Sequence, residues 1–228
     1  MINWRITLRL LAFPILWMSL VQLIFSGLSA LIFNDSVAVH FLIPASAMLF
    51  FACLLLLNIP DHDLSRASFR DALIYATATW IVAGILGAIP IILITHISVT
   101  DGIFESISAL TTTGATVLSG LDDMPPSFLL YRQFLQWMGG LGIVIFVVAI
   151  LPMLNVGGMK LLKAETPGPI KDDKLSPRIA NTAHYLWGVY LSITVLCIVA
   201  YYLAGMTFYD AIAHAFTTVS TGGFSTND

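Results

Sequence analysis

The sequence predicts an all-α polytopic membrane protein, in which a helical hairpin precedes repeated units of span, re-entrant pore loop and span. The chain of 228 residues is 58% hydrophobic and only 10% charged, which exceeds what a water-soluble core of this size can bury. Several apolar runs reach the roughly 20 residues that a membrane-spanning helix needs. Two stretches, 101–116 and 210–225, also align without a gap at an offset of 109 residues (210 minus 101).

The aligned stretches read DGIFESISALTTTGAT and DAIAHAFTTVSTGGFS. They share four identities in sixteen positions, a weak match whose weight comes from its place in the chain. Each stretch follows a long apolar run and a short polar break, so the same unit is built twice. Each predicts a short helix, about 102–110 and 210–219, followed by a hydroxyl-rich loop with glycine. Such a loop is too polar to face lipid and too short to span, which is typical of a re-entrant pore loop.

Five apolar segments are predicted to span the membrane, at about 10–33, 37–59, 72–96, 132–155 and 183–204. The first is too long and too uniformly apolar for a removable signal peptide. The spans divide the chain into an N-terminal helical hairpin (1–60), a first span–pore loop–span repeat (61–158), a cytoplasmic connection (159–182) and a second repeat (183–228) that ends after its loop. The connection ends at Ser176 and Pro177, a helix start signal.

The basic residues predict the orientation. If the N-terminus is cytoplasmic, nine of the ten lie on the cytoplasmic side, and only Arg132 is an exception. These nine are Arg5, Arg9, Arg66, Arg70, Lys160, Lys163, Lys171, Lys174 and Arg178. The opposite side collects acidic residues that would concentrate cations at an outer vestibule. They are Asp35, Asp101, Glu105, Asp122, Asp123, Asp210 and Asp228. The alternative, favoured for Asp35 or Asp122 taken alone, is an ordinary solvated surface.

The two loops have the chemistry of a cation site. Their residues are Thr111, Thr112, Thr113 and Gly114 in the first, and Ser220, Thr221, Gly222 and Gly223 in the second. They offer carbonyl and hydroxyl oxygens without fixed charge, which is the ligand set that replaces the hydration shell of an alkali cation. Glycine permits the backbone angles that aim successive carbonyls at one axis, and the preceding helices end at the loops with the negative ends of their dipoles. For either loop alone, a simple helix C-cap remains the alternative.

Other polar and small residues receive structural interpretations. Glu105 and His214, at matching positions of the two short helices, are predicted to anchor those helices behind the loops, with electrostatic tuning of the loops as the alternative. Gln133 and Gln136 are expected to bond to neighbouring helices, and the glycines of Gly139-Gly140-Leu141-Gly142 to permit close helix packing. The histidines lack ligand spacing, and Cys53 and Cys197 lie in apolar spans, so neither a metal site nor a disulfide is predicted.

Four segments carry a resemblance to a known family. They are SALTTTGAT (108–116), YRQFLQWMGGLGIVI (131–145), KAETPGPIKDDKLSPRIA (163–180) and LAGMTFYDAIAHAFTTVSTGGFST (203–226). In them the chain resembles the potassium-translocating membrane subunits of bacterial Trk systems, within the Trk/Ktr/HKT superfamily. The resemblance covers nearly the whole chain and implies four span–pore loop–span units around one potassium pathway, with two extra leading helices.

The resemblance also implies site residues and partners. Potassium, the transported ion, would be coordinated at Thr111, Thr112, Ser220 and Thr221, with Gly114 and Gly223 as filter glycines. No other cofactor and no nucleic-acid partner are expected. A homodimer in the lipid of the bacterial inner membrane and a cytosolic nucleotide-binding regulatory subunit that gates conduction are implied. The sequence ends after the second loop, whereas the family pattern continues through a third and a fourth, so a fragment of a longer protein is the simplest interpretation.

Several functions follow from these observations. The leading prediction is potassium uptake through a pore with a backbone-carbonyl selectivity filter, without covalent chemistry. The alternatives are a cation-coupled secondary symporter and, for this chain alone, a non-conducting fragment. A coupled carrier usually places an acidic residue or a histidine near mid-membrane, and the interiors of the predicted spans hold none. An enzyme is not expected, because no paired carboxylates or nucleophile–base set lies at membrane depth.

Overall fold

The computed structural model describes residues 4–59, 69–154 and 175–228, and within these ranges the regular structure is helical without a strand. Its helices are α1 (Trp4–Leu28), α2 (Ala38–Asn58), α3 (Phe69–Thr95), α4 (Val99–Leu110), α5 (Pro126–Leu154), α6 (Leu175–Leu203) and α7 (Phe208–Val219). A π-helical turn, Ser29–Phe33, extends α1, and a 3-10 turn, Leu121–Asp123, precedes α5. The predicted all-α class is confirmed.

Four segments of the described helices are long and apolar enough to cross a membrane. They are Thr7–Phe33, Ala38–Asn58, Leu73–Thr95 and Tyr185–Leu203, and they match four of the predicted spans. The fifth predicted span, 132–155, overlaps α5, a helix of 29 residues. Most of the predicted connection 159–182 lies outside the described residues. Its end does not, because α6 begins at Leu175, beside the predicted start signal at Ser176 and Pro177.

The predicted N-terminal hairpin is formed by α1 and α2, which pack along one another. Hydroxyl groups of α1 join the two helices at two places along this contact. Ser19 donates a hydrogen bond to the carbonyl of Ala45 at 2.7 Å, and Ser26 donates one to the carbonyl of Ala38 at 2.9 Å. Because serine can satisfy the backbone of a neighbouring helix in lipid, these contacts stabilise the hairpin. The guanidinium of Arg9 adds a hydrogen bond to the carbonyl of Ile59, just after α2, at 2.5 Å.

Helix α5 is the central element, because it contacts both short helices, α4 and α7, as well as α6. Its Trp137 lies between the second-repeat helices, with ring centroids 5.4 Å from Phe216 and 5.5 Å from Tyr190. The indole nitrogen of Trp137 also donates to Thr194 of α6 at 3.0 Å. On another side, Tyr131 of α5 packs edge-on against Phe41 of the hairpin at 5.2 Å. Helix α5 therefore connects the N-terminal hairpin, the first repeat and the second repeat.

Candidate functional site

The two short helices have matching lengths and matching starts. Val99–Leu110 and Phe208–Val219 each have 12 residues and keep the offset of 109 at both ends. Ser98 caps α4 by accepting from the backbone N–H of Asp101 at 3.1 Å, and Thr207 caps α7 by accepting from Asp210 at the same distance. A side-chain cap of this kind satisfies an N–H group that the helix leaves unpaired. The two units inferred from four sequence identities thus also have equivalent capping hydrogen bonds.

The helix ends match as well, and each forms a Schellman motif. In the first repeat the N–H of Thr113 donates to the carbonyl of Ser108 at 2.9 Å, and that of Thr112 to Ala109 at 3.0 Å. In the second repeat Gly222 donates to Thr217 at 2.8 Å, and Thr221 to Thr218 at 3.0 Å. The loops therefore begin as helix caps, so the cap alternative raised from the sequence describes their first residues correctly.

The left-handed position of each cap is occupied by threonine rather than glycine. Thr112 has φ of +56° and Thr221 has φ of +57°, a region that a β-branched residue rarely adopts. Such strain persists only where the surrounding structure imposes it, and it concentrates at functional sites. Two residues later, Gly114 and Gly223 also have positive φ, of +75° and +93°. The sequence analysis named Thr112 and Thr221 as potassium-coordinating positions, but it expected unusual backbone angles at the glycines and not at these threonines. The match of Thr112 with Thr221 between the repeats was the available signal.

The hydroxyls of Thr111 and Ser220 form hydrogen bonds within the protein, whereas the loop carbonyls do not accept any from the described residues. The hydroxyl of Thr111 donates to the carbonyl of Ile107 at 2.7 Å, and that of Ser220 donates to Thr217 at 3.2 Å. Both hydroxyls are thus turned back onto their own helices. In contrast, no donor from the described part of the chain is hydrogen-bonded to the backbone oxygens of 111–114 or 220–223. A cation at these loops would therefore meet mainly main-chain oxygens.

The two loops meet each other. A Cβ atom built on Gly114 would overlap the carbonyl oxygen of Gly222, so the backbones approach closely at this point. Helix α5 packs against both loops at the same place. A Cβ on Gly139 would overlap the carbonyl of Leu110, and one on Gly140 would lie 2.9 Å from the Cβ of Ser220. These glycines thus let α5 reach both loops, as expected from the sequence, although their partners are helix ends rather than helix faces.

A buried ion pair lies beside the first loop. Arg132 of α5 is 1% exposed and Glu105 of α4 is fully buried, and a guanidinium nitrogen of Arg132 lies 2.5 Å from a carboxylate oxygen of Glu105. The same carboxylate accepts from the hydroxyl of Thr116 at 2.9 Å and from the N–H of Val117 at 3.2 Å. The predicted anchoring role of Glu105 agrees with these contacts. The prediction that Glu105 contributes to the acidic outer surface is wrong, because its charge is buried and paired with Arg132.

The pairing also explains the exceptional position of Arg132 in the charge distribution. In the predicted orientation Arg132 lies at the outer end of a span, which departs from the positive-inside pattern, and in the structure its charge is balanced by Glu105 inside the protein. The sequence contained the signal, because Glu105 and Arg132 are isolated opposite charges in apolar surroundings. They lie 27 positions apart, so neither spacing nor helix periodicity connects them, and only the fold brings them together.

The position matching Glu105 in the second repeat, His214, also faces the chain beyond its loop. A ring nitrogen of His214 lies 3.3 Å from the hydroxyl oxygen of Thr226, which donates to Asp210 at 3.0 Å.

The two glutamines of α5 differ in their hydrogen bonds. Gln136 accepts from the backbone N–H of Phe224 at 3.2 Å, so it bonds to a loop and not to a helix. Gln133 is fully buried, and among the described residues neither of its amide atoms has a partner.

Two of the acidic residues on the predicted outer side, Asp228 and Asp35, accept hydrogen bonds from backbone N–H groups. Asp228 accepts from the N–H groups of Gly120 and Leu121 at 2.8 and 3.2 Å, which joins the segment after the second loop to the segment after the first. Asp35 accepts from the N–H of Ser127 at 2.9 Å and from the hydroxyl of Ser29. Burial opposes its ionisation, but the hydrogen bonds from Ser127 and Ser29 prevail and lower the pKa of Asp35 below its ordinary value.

A family model described as cation transport protein, TrkH, matches residues 40–228 of the chain. Curated relatives agree with it. The Trk system potassium uptake protein TrkH of Vibrio parahaemolyticus is 49% identical over 210 residues, which cover 91% of this chain and 43% of that protein. The protein of the same name from Escherichia coli K12 is 45% identical over 212 residues, covering 90% of this chain and 43% of the relative.

A solved structure supports the same relationship. The crystal structure of the potassium transporter TrkH from Vibrio parahaemolyticus superposes with a TM-score of 0.84 at 42% sequence identity. The match covers 100% of this chain and 45% of the other. The chain therefore spans less than half the length of the relatives that it matches.

Proposed function

The chain belongs to the TrkH family of cation transport proteins, and we propose that within its full gene product it forms part of a potassium uptake pathway. Membership of this family places the chain among transporters rather than enzymes. Potassium is the transported ion of this proposal, and no further cofactor is needed. The proposed site consists of the two loops, with Thr111, Thr112, Ser220 and Thr221 supplying oxygens and Thr113, Gly114, Gly222 and Gly223 setting the backbone geometry.

One observation carries the proposal, namely that two loops follow matching helices and touch each other, with backbone carbonyls that have no hydrogen-bond donor among the described residues. Neutral carbonyl oxygens replace the hydration shell of an alkali cation. The C-terminal ends of α4 and α7 add the negative ends of two helix dipoles at the same place. Two such loops supply only part of an oxygen cage, which fits a chain that spans 43% of its curated relatives. The remaining oxygens would come from further repeats of a four-repeat pore.

Uptake of isotope-labelled potassium tests this function. The full gene product is expressed in bacteria that lack their own potassium uptake systems, and the same cells expressing residues 1–228 alone serve as the comparison. We expect uptake with the full gene product that excess sodium inhibits only weakly, and none with residues 1–228. Absence of uptake by the full gene product would reject the function. Uptake that requires an imposed proton or sodium gradient would favour the coupled symporter instead.

We further propose that the protein lies in the bacterial inner membrane as a homodimer with a cytoplasmic N-terminus. The distribution of basic residues supports this orientation, and the family resemblance supports the dimer. The same resemblance supports a cytosolic nucleotide-binding regulatory subunit that contacts the connection 159–182. Reversing the charges of Lys171 and Lys174 in the full gene product should weaken its co-purification with that subunit. Unchanged co-purification would leave the connection as a solvated loop.

A further inference from the structure

Phe224, the residue that follows the second loop, is held by two side chains of α5. Its backbone N–H donates to the side-chain oxygen of Gln136 at 3.2 Å. Its ring lies under the guanidinium of Arg132, with the central carbon 4.3 Å from the ring centroid, a cation–π geometry. Arg132 and Gln136 are four residues apart on one helix, so they project from the same face, one turn from one another.

The same two side chains also lie beside the first loop and the residues that follow it. Arg132 donates to the hydroxyl of Thr116 at 3.1 Å, in addition to its pair with Glu105. The amide nitrogen of Gln136 lies 3.6 Å from the position that a Cβ on Gly114 would occupy. A Cβ on Gly222 would collide with the amide group of Gln136, so the glycine leaves the space that this group fills. One face of α5 thus lies against both loops at the place where they meet.

We propose that Arg132 and Gln136 are positioning residues, which hold the second loop at a set distance from the first and thereby determine the ion preference of the pathway. The inference rests on the proposed transport function, because a spacing between loops matters only if both face the same ion. Neither residue supplies an oxygen to the ion. Each acts through Phe224 on the carbonyls of the second loop.

The backbone just before Phe224 explains why an anchor is needed there. Gly222 and Gly223 are consecutive glycines, which restrict the chain least of all residues. A Cβ on Gly223 would meet nothing within 4 Å, so packing does not hold the loop on that side. The first fixed point after the glycines is Phe224, which is 3% exposed. Selectivity by neutral dipoles depends on the positions of the carbonyl oxygens. Loss of the contacts that hold Phe224 would therefore lower the selectivity for potassium over sodium.

A pair of glutamine substitutions separates positioning from folding. Gln136→Met removes the acceptor of the Phe224 N–H at nearly constant volume. Gln133→Met makes the same chemical change three residues away, at a glutamine that is equally buried and has no described hydrogen bond to a loop. Both variants are made in the full gene product. Uptake of potassium, with sodium as competitor, and the amount of protein in the membrane are measured for each.

We expect Gln136→Met to lower the preference for potassium over sodium about fivefold, the effect of one net hydrogen bond, while Gln133→Met leaves it unchanged. A merely structural role would alter the amount of protein without altering the ratio. Equal ratios in wild type and both variants, with wild type selective, would overturn the inference and leave the proposed function intact. A non-selective wild type would overturn both.

Phe224 supplies a second test that does not depend on how Gln136→Met accumulates. Phe224→Leu keeps the backbone N–H but removes the ring beneath Arg132, and Arg132→Lys keeps the charge that pairs with Glu105 but not the planar guanidinium. Each should lower the selectivity ratio. The double variant should fall no further than the lower single variant, because both changes remove one contact. Unchanged ratios, or two losses that multiply in the double variant, would contradict the positioning role.

Discussion

Gly114 and Gly222 stand so close that a Cβ atom on Gly114 would overlap the carbonyl oxygen of Gly222. Gly114 also has φ of +75°, so both its backbone angle and its surroundings require glycine. Gly223 has φ of +93°, but a Cβ atom there would have no other atom within 4 Å. The two filter glycines predicted from the sequence as equivalents are therefore constrained in different ways.

This difference predicts unequal effects of alanine. Gly223→Ala should cost only the left-handed backbone penalty, about 1–2 kcal/mol, and lower the potassium-over-sodium ratio several-fold. Gly114→Ala should lower it further, because its Cβ must displace the carbonyl of Gly222 as well. Competitive uptake in the full gene product, normalised to the amount of protein in the membrane, measures both. A larger loss for Gly223→Ala than for Gly114→Ala would contradict the loop contact.

Thr112 predicts a stabilising substitution within the site. Thr112→Gly removes the strain of a β-branched residue at φ of +56°, and we expect it to raise the free energy of unfolding by about 1 kcal/mol. Thr113→Gly, next to it but outside the left-handed region, should lower stability through the added freedom of the unfolded chain. Thermal unfolding of the detergent-solubilised protein measures both. Destabilisation by both substitutions would show that the side chain of Thr112 outweighs its backbone strain.

The buried pair of Glu105 and Arg132 predicts a rescue. Arg132→Met leaves the carboxylate of Glu105 buried and unpaired, which typically costs about 3–5 kcal/mol. Adding Glu105→Gln removes the unpaired charge, so the double variant should accumulate in the membrane better than Arg132→Met alone. Quantitative blotting of membrane fractions measures this recovery. A double variant that accumulates no better than the single one would show that the ion pair does not govern folding here.

Asp35 predicts a pH dependence. Its pKa is lowered in the folded protein, so its contribution to stability is present above the unfolded pKa, about 3.9, and is lost as the pH falls through the folded pKa. Wild type should therefore unfold at a higher temperature than Asp35→Asn at pH 7, and the difference should shrink on acidification below pH 4. Asp123→Asn, at an exposed carboxylate, is the control. A difference independent of pH would contradict the role of the charge.

The proposed orientation predicts accessibility to an impermeant thiol reagent. With Cys53 and Cys197 replaced by serine, Asp122→Cys should label in intact cells, whereas Lys171→Cys should label only after permeabilisation. Asp122 is exposed, which makes it a suitable outer position, while the neighbouring Ser127 is fully buried. Labelling of Lys171→Cys alone in intact cells would reverse the topology.

The sequence was sufficient for the elements that depend on local pattern. Spans follow from the length of apolar runs, and the short helices follow from repeated polar breaks, so α4 and α7 were placed to within three residues of their observed starts and at their observed ends. The positions of Gly114 and Gly223 in the proposed filter were also predicted locally, because glycine is the residue that adopts positive φ most readily. Their positive φ values agree with that reasoning.

Only the tertiary structure decided which residues meet. The pairing of Glu105 with Arg132, the contact of Gly114 with Gly222, and the anchoring of Phe224 by Gln136 join positions between 27 and 108 residues apart. Gln136 and Gln133 are the same residue type on one helix, yet Gln136 bonds to a loop and Gln133 has no described partner. Local pattern reports what a segment can form by itself, whereas contacts between segments depend on how α5 is rotated against its neighbours, which no single segment encodes.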